Sequence, residues 1–228
     1  MRCTPLLVLL SALALAMPSA DFALAQPSDT IELPEPDRTG SVTLERTLDE
    51  RRSSRRYTDD ALTLQQISQL LWAAQGRTHP QGYRTAPSAG ALYPLEVYVT
   101  GGRVANLADG VYRYRPRDHV IIKTQDTDRR DDLADAALGQ SWVRRGAIAI
   151  VFTAVYERTT QKYGDRGIRY VHMEVGHAAQ NVYLQAEALD LGTVMVGAFQ
   201  DRAVTEVLDL PDPERPLAIL PVGRTAGR

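Results

Sequence analysis

The nine-residue run AIAIVFTAV at positions 147–155 is the stretch that most limits what this chain can become. Only Thr153 interrupts it, so it has no polar side to offer water and reads as a strand buried on both faces. Other segments must cover those faces. Thr63 and Gln66 have the spacing of a reciprocal helix cap ahead of Leu64, Ile67, Leu70, Leu71 and Ala74, one apolar helix face that ends at Gly76. A longer helix is predicted over 168–189, with Val171, Val175, Ala178, Val182 and Ala186 on one side and Gly176 and Ala179 allowing a close neighbour. Shorter helices are predicted over 42–53, 128–138 and 201–208. Strands are predicted over 95–100, 110–115, 119–124, 192–196 and 217–222. A chain of 228 residues with a leader removed is one domain, long enough to bury about 70% of its unfolded surface.

Residues 1–25 stand apart. Arg2, an apolar core over 6–17 and Ala23-Leu24-Ala25 ahead of Gln26 form the pattern of a secretory signal peptide. Pro5 and Pro18 interrupt the stretch and its core is shorter than the roughly 20 residues of a membrane span, which argues against an uncleaved anchor. The expectation is an exported protein, periplasmic or secreted, with no stable membrane span after cleavage. Cys3 is the single cysteine and lies in the leader, so the mature chain has no disulfide, thiol nucleophile or thiolate metal ligand. Residues 26–40, rich in Pro, Asp and Glu, read as an extended linker, and 41–228 as the folded domain.

Two stretches point to a ligand. The basic cluster from Arg51 through Arg52, Ser53, Ser54, Arg55 and Arg56 to Tyr57 is either a solvated face or an anion site, since planar guanidinium donors and hydroxyls suit a phosphate. Pro87, Ser88, Ala89, Gly90 and Ala91 form either a surface turn or a bed of exposed backbone on which a planar ligand can lie, because they lack bulk. The net charge of -2 argues against a nucleic-acid surface. No GxSxG, GxGxxG or Walker sequence occurs, which weakens hydrolase, dinucleotide-fold and nucleotide-hydrolysis readings. His172 and His177 are five residues apart, about 140° round a helix, so they are not a one-face zinc pair and no metal site is expected. His177 is expected near the core, hydrogen-bonded, with a place beside a bound ligand as the alternative. Tyr163, Arg166 and Arg169 either line a substrate mouth or simply form the polar start of the long helix.

Five strings in order resemble the nitroreductase superfamily, most closely its SagB-type branch: RRSSRRY from Arg51, APSAGALYPLEVYV from Ala86, YGDRGIRY from Tyr163, EVGHAAQN from Glu174 and LGTVMVGAF from Leu191. The resemblance covers nearly all of residues 44–224. It implies an α+β nitroreductase-like fold, a mixed central sheet flanked by helices, working as an intertwined homodimer with FMN at the subunit interface. By position it implies that Arg52, Ser53 and Arg55 hold the FMN phosphate and ribityl chain. Pro87, Ser88, Ala89, Gly90 and Ala91 would face the isoalloxazine ring, Gly197 and Ala198 would lie against its other side, and Arg224 would add a contact near the phosphate. Ala91 and Leu95 stand where many nitroreductases carry Asn and an aromatic residue, in agreement with the SagB-type branch. The chain ends at Arg228, where many relatives continue with an arm that embraces the partner.

The function implied is an FMN-dependent oxidoreductase that passes hydride or electrons between a reduced donor, with NADH or NADPH as candidates, and a small organic acceptor. A flavin-binding or redox-sensing module without turnover is the alternative. The cofactor would carry the chemistry while the protein supplies position and electrostatics.

Overall fold

The expected buried strand forms at Ile148–Ala154, and all seven of its residues are buried. The computed structural model describes residues 29–226, so the expected leader lies outside the described residues. In chain order these residues form β1 (Thr30–Glu32), α1 (Leu44–Glu50), α2 (Leu64–Gln75), β2 (Leu95–Gly101), β3 (Gly110–Arg115), β4 (Val120–Gln125), α3 (Arg130–Ala136), α4 (Ser141–Arg145), β5 (Ile148–Ala154), α5 (Glu157–Tyr163), α6 (Arg166–Ala188), β6 (Leu191–Thr193), α7 (Asp201–Leu208) and β7 (Arg215–Arg224). No helix among them is long and apolar enough to cross a membrane.

The strands form one seven-stranded sheet in the order β1-β4-β3-β2-β5-β7-β6. Its ladders are antiparallel throughout, which corrects the mixed sheet implied by resemblance. Parallel pairing is confined to the isolated bridges Ser53–Thr193 and Leu62–Val104. Side chains alternate across the central strands, as the two-residue period of a strand requires. Val97, Val99, Ile150, Phe152 and Leu220 enter a core shared with α2 and α6. Tyr98, Val111, Val151 and Ile219 enter a second core under α3 and α7.

Local chemistry sets the element ends. Thr63 and Gln66 form the reciprocal cap of α2. Thr43 caps α1, and Arg51 leaves the helix in an extended conformation, so the basic cluster is not helical as the expected 42–53 helix had it. The expected 128–138 helix stops at Ala136, and Gly139, at φ 74°, turns the chain into α4. The expected strand over 192–196 shortens to β6, after which Val196 alone bridges to Ile219. Neither α4 nor α5 was expected. In α5 the apolar periodicity that would signal a helix is missing, because only Thr159 is buried.

Part of the expected linker lies on the sheet: Thr30–Glu32 pair with residues 120–122 of β4. Just beyond, the Pro34 carbonyl accepts from the Ser68 hydroxyl and lies 3.1 Å from His119 Nε2. Tyr114 Oη is 2.9 Å from His119 Nδ1, and Ser68 Oγ is 2.7 Å from His119 Nε2. Burial lowers the imidazole's affinity for a second proton, with the Pro34 carbonyl and Glu35 opposing.

Candidate functional site

The basic cluster reaches its place because Gly192 has no side chain. A Cβ there would come 2.6 Å from Ser54 Cβ, so glycine lets residues 53–54 lie directly on β6. The Ser54 amide donates to the Thr193 carbonyl at 2.8 Å, and the Thr58 amide to the Arg224 carbonyl at 2.9 Å. Tyr57 Oη donates to the carbonyls of Ser54 (2.7 Å) and Pro221 (3.2 Å), fastening the segment across β7. Arg52, Ser53, Arg55, Gly192 and Thr225 thereby line a recess of about 220 Å³.

Three side chains connect this strip to the segment after β6. Tyr183 Oη lies 3.3 Å from Ser53 Oγ and accepts the Met195 amide at 2.7 Å. The Arg55 guanidinium stands over the Trp142 ring, 5.4 Å from its centroid, and Gln140, which precedes α4, donates to the Ala198 carbonyl at 2.8 Å. Arg52, Ser53, Arg55, Gly197, Ala198 and Arg224 are therefore one assembly. Gly197 is exposed, with no atom within 4 Å of where its Cβ would be, so open backbone is presented there.

Pro87, Ser88, Ala89, Gly90 and Ala91 form a separate assembly. Gly90, Ala91 and Tyr93 all have left-handed backbones, at φ 63°, 54° and 48°. Such geometry is costly for residues with a Cβ and needs outside support. The Tyr93 amide donates to Ser88 Oγ at 2.9 Å, and the Arg158 guanidinium donates to the Tyr93 carbonyl at 3.2 Å. Arg158 is held in turn by Glu96 at 2.6 Å, Glu96 by Arg113 at 3.1 Å, and Arg113 by the buried Glu214 at 3.3 Å. Tyr98 and Thr153 also donate to Glu214, at 3.0 and 2.7 Å. A Cβ on Gly90 would meet Tyr163 Oη at 2.8 Å and Lys162 Nζ at 3.1 Å.

Beneath this loop lies Glu174 of α6, 2% exposed. Burial raises its carboxyl to about 7, while the Ser88 hydroxyl, Arg84 and the Gln75 amide act to lower it. The motif containing Glu174 is visible in sequence, but its role is not, because nothing local says that an acidic helix residue will face inward. Lys162 was likewise missed, as its partners are far along the chain.

The two assemblies lie on opposite flanks of α6. Tyr183 and Glu174 are nine residues apart on one continuous helix, about 13.5 Å along its axis and about 180° around it. Between the flanks runs an exposed strip that includes Met173, Gly176 and His177. His177 therefore faces outward, which corrects the expectation that it lies near the core: the inward positions are Val171, Val175, Ala178, Val182 and Ala186. Gly176 likewise has no close neighbour in the chain. His172 is hydrogen-bonded to Tyr156 Oη at 2.6 Å, and among the described residues no group of three or more His, Cys, Asp or Glu is arranged to hold a metal. Arg166 and Arg169 are exposed at the start of α6, and Tyr163 packs edge-on against Tyr170. A larger groove of about 660 Å³ lies between α1, α2 and α6, and none of the predicted site residues lines it.

The pattern that defines the nitroreductase family matches residues 48–224. This chain belongs to the nitroreductase family. It is 50% identical over 196 residues to a protein of Methanocaldococcus jannaschii provisionally named a nitroreductase, MJ1384, covering 86% of this chain and 98% of the relative. A solved structure from Ralstonia eutropha JMP134, also provisionally named a nitroreductase, superposes with a TM-score of 0.77 at 32% identity, covering 88% of this chain and 91% of that one. Among more distant relatives are the FMN reductase [NAD(P)H] of Bacillus subtilis, 25% identical over 80% of this chain and 66% of that protein, and the microcin B17-processing protein McbC of Escherichia coli, 30% identical over 65% and 57%. The nitroreductase-like α+β fold and a flavin oxidoreductase class follow from that membership.

Proposed function

We propose that this chain is an FMN-dependent oxidoreductase of the SagB type, active as a homodimer, that moves hydride or electrons between a reduced donor and a small organic acceptor. The observation that carries the reading is the division of the predicted site into two assemblies on opposite flanks of α6, with an exposed helix face between them. A second copy packed on that face brings the small-residue loop of one protomer toward the basic strip of the other.

The residues fit the cofactor. Arg52, Arg55 and Arg56 provide guanidinium donors, with the Ser53 hydroxyl beside them, at a recess of about 220 Å³ that is roomy enough for a phosphate, and the arginines outnumber Glu50 and Glu187, which also line it. The uncrowded backbone at Gly197 and the side-chain-poor loop at Gly90 suit close approach by a planar ring. When bound, the flavin supplies the hydride chemistry. This chain's residues would do the rest: the strip neutralises phosphate, the loop and the Gly197–Ala198 amides orient the ring, and Lys162 and Tyr163 stand at Gly90 where they can exchange a proton with substrate. NADH and NADPH are the donors to try first, given the FMN reductase relative. The McbC relative and the Ala91 and Leu95 positions favour the SagB branch.

The test is purification with FMN, anaerobic addition of NADH or NADPH, and reoxidation by a nitroaromatic or quinone. Bleaching followed by recovery of the yellow spectrum is expected. A yellow protein that no donor bleaches would instead be a flavin-binding module, and a chain that stays colourless after incubation with FMN refutes the cofactor. The exported state predicts a mature N-terminus at Gln26, read by sequencing the protein from the extracytoplasmic fraction; a retained leader would overturn it.

A further inference from the structure

The loop that carries Gly90 rests on a buried polar cluster that ligand contact alone does not require. Glu174 is 2% exposed and Gln75 fully buried; the Ser88 hydroxyl and the Gln75 amide are the polar groups beside the Glu174 carboxyl, and neither Glu174 Oε1 nor Gln75 Nε2 has a well-aligned hydrogen bond. A carboxylate buried with so few fixed donors is costly to keep charged. Gln75 uses its oxygen to accept from Arg84 at 2.8 Å, and Arg84 stacks over the Tyr93 ring, 4.5 Å from its centroid. The Tyr93 amide occupies a lone pair of Ser88 Oγ. A serine hydroxyl has one hydrogen to donate and two lone pairs, so the only freedom left to Ser88 is where that hydrogen points and what uses the second lone pair.

We propose that Glu174 is a positioning residue that sets, by its protonation, the direction in which the Ser88 hydroxyl donates: inward to the carboxylate when Glu174 is ionised, outward to a ligand on the loop when it is neutral. In the ionised state the Ser88 hydrogen is committed to the carboxylate. When the carboxylate takes up one proton from solvent, its new O–H donates to the second lone pair of Ser88, and the serine hydrogen is released toward the ligand side. No electron moves and no covalent bond to carbon changes. The ionised state also places a negative charge under an anionic ligand, so both effects favour binding to the neutral form.

The surroundings allow Glu174 to change state near neutrality. Its carboxyl is raised to about 7, chiefly by burial. Arg84 is the cation facing it; behind Arg84 stand Tyr93, Glu96 and Arg158, and burial lowers the affinity of Arg84 for its proton. From α2 comes the neutral Gln75. From α5, Lys162 and Tyr163 approach the other end of the loop at Gly90. Tyr170, one turn earlier, is the titratable neighbour on α6 itself.

This inference rests on the loop being the flavin-facing element, so two measurements separate the two ideas. In the cofactor-free chain, amide NMR shifts of Ala89, Gly90 and Ala91 followed from pH 5.5 to 8.5 should show a step with its midpoint near 7 in the wild type and none in Glu174→Gln. Across the same range, FMN affinity measured by fluorescence quenching should be at least about fivefold tighter at pH 5.5 than at 8.5 in the wild type, relative to Glu174→Gln, the lower end of ordinary coupling between sites. Titration of the FMN phosphate is common to both proteins and cancels. Ser88→Ala should keep the Glu174-dependent step in the loop amides but show an FMN profile between those of the wild type and Glu174→Gln, because the hydroxyl's share is lost and the direct effect of the Glu174 charge remains; a Ser88→Ala profile identical to the wild type would overturn the role of the hydroxyl. A wild-type loop without a step, or a wild-type FMN profile parallel to that of Glu174→Gln, overturns the proposal. If FMN binds neither protein at any pH, the flavin reading fails and the loop amides alone decide the proton switch.

Discussion

Substituting Gly90 by alanine separates the cost of a strained backbone from the loss of a ligand surface. At φ 63° an L-residue costs roughly 1–2 kcal/mol. The new methyl also meets Tyr163 Oη at 2.8 Å and Lys162 Nζ at 3.1 Å, both ends of flexible side chains, so they swing aside at about 0.5–1.5 kcal/mol of rotamer strain. The total of about 1.5–3.5 kcal/mol is below the 5–15 kcal/mol typical of a domain, and Gly90→Ala should fold with its melting temperature about 3–14 °C lower. The displaced tyrosine and lysine, with the methyl, then occupy the space where the ring would lie. FMN affinity should fall at least tenfold, about 1.4 kcal/mol. Gly82 is the control: it too has a left-handed backbone, at φ 93°, but no atom lies within 4 Å of its absent Cβ. Gly82→Ala should lose stability without losing FMN. Thermal unfolding and fluorescence titration on both variants decide the matter. Gly90→Ala with wild-type FMN affinity, or equal losses of affinity in both variants, would refute the placement of the ring.

Three other perturbations have worked outcomes. The Glu174 carboxyl is raised from 4.5 to about 7, so the native state holds the extra proton between those values; stability falls as pH rises through that window and levels off above 7. Relative to the wild type, Glu174→Gln should therefore gain up to about 3 kcal/mol between pH 4.5 and 8.5 in urea unfolding, and parallel profiles would contradict the buried acid. Replacing both Arg52 and Arg55 by alanine should weaken FMN binding about 100-fold or more, with a smaller effect on riboflavin, which lacks the phosphate; equal losses would remove the strip from the phosphate site. Glu214→Gln removes one of the two carboxylates that Arg113 meets and weakens the acceptor for Tyr98 and Thr153, and should destabilise the fold by about 1–3 kcal/mol, measured by chemical unfolding, whereas a loss under about 0.5 kcal/mol would mean that the chain of ion pairs is dispensable.

What could be read in the sequence was what local chemistry determines. The run around Phe152, the cap at Thr63 and the inward stripe of α6 each carry a periodicity that survives folding, so these elements formed as expected. The ends of α1 and β6 did not, because Arg51 and Val194 continue the local pattern and only the meeting of residues 53–54 with Thr193 stops it. Similarly, the strip and the Gly197 segment could each be named as ligand-facing, but their linkage runs through Tyr183, Gln140 and Trp142, which carry no signal of their own. The burial of Glu174 and its contact with Ser88 joins positions 86 residues apart, a relation that only the fold creates.

The short pairings at the two margins of the sheet have a consequence for colloidal behaviour. A bare margin is a row of free amides and carbonyls that can recruit another chain. Here β1 covers one side of β4, and the basic segment at residues 53–54 leans on β6 at the opposite margin. The segment that would grip a phosphate thus also blunts edge-to-edge polymerisation, and loss of its seat at Gly192 would expose a sticky rim as well as an empty anion site.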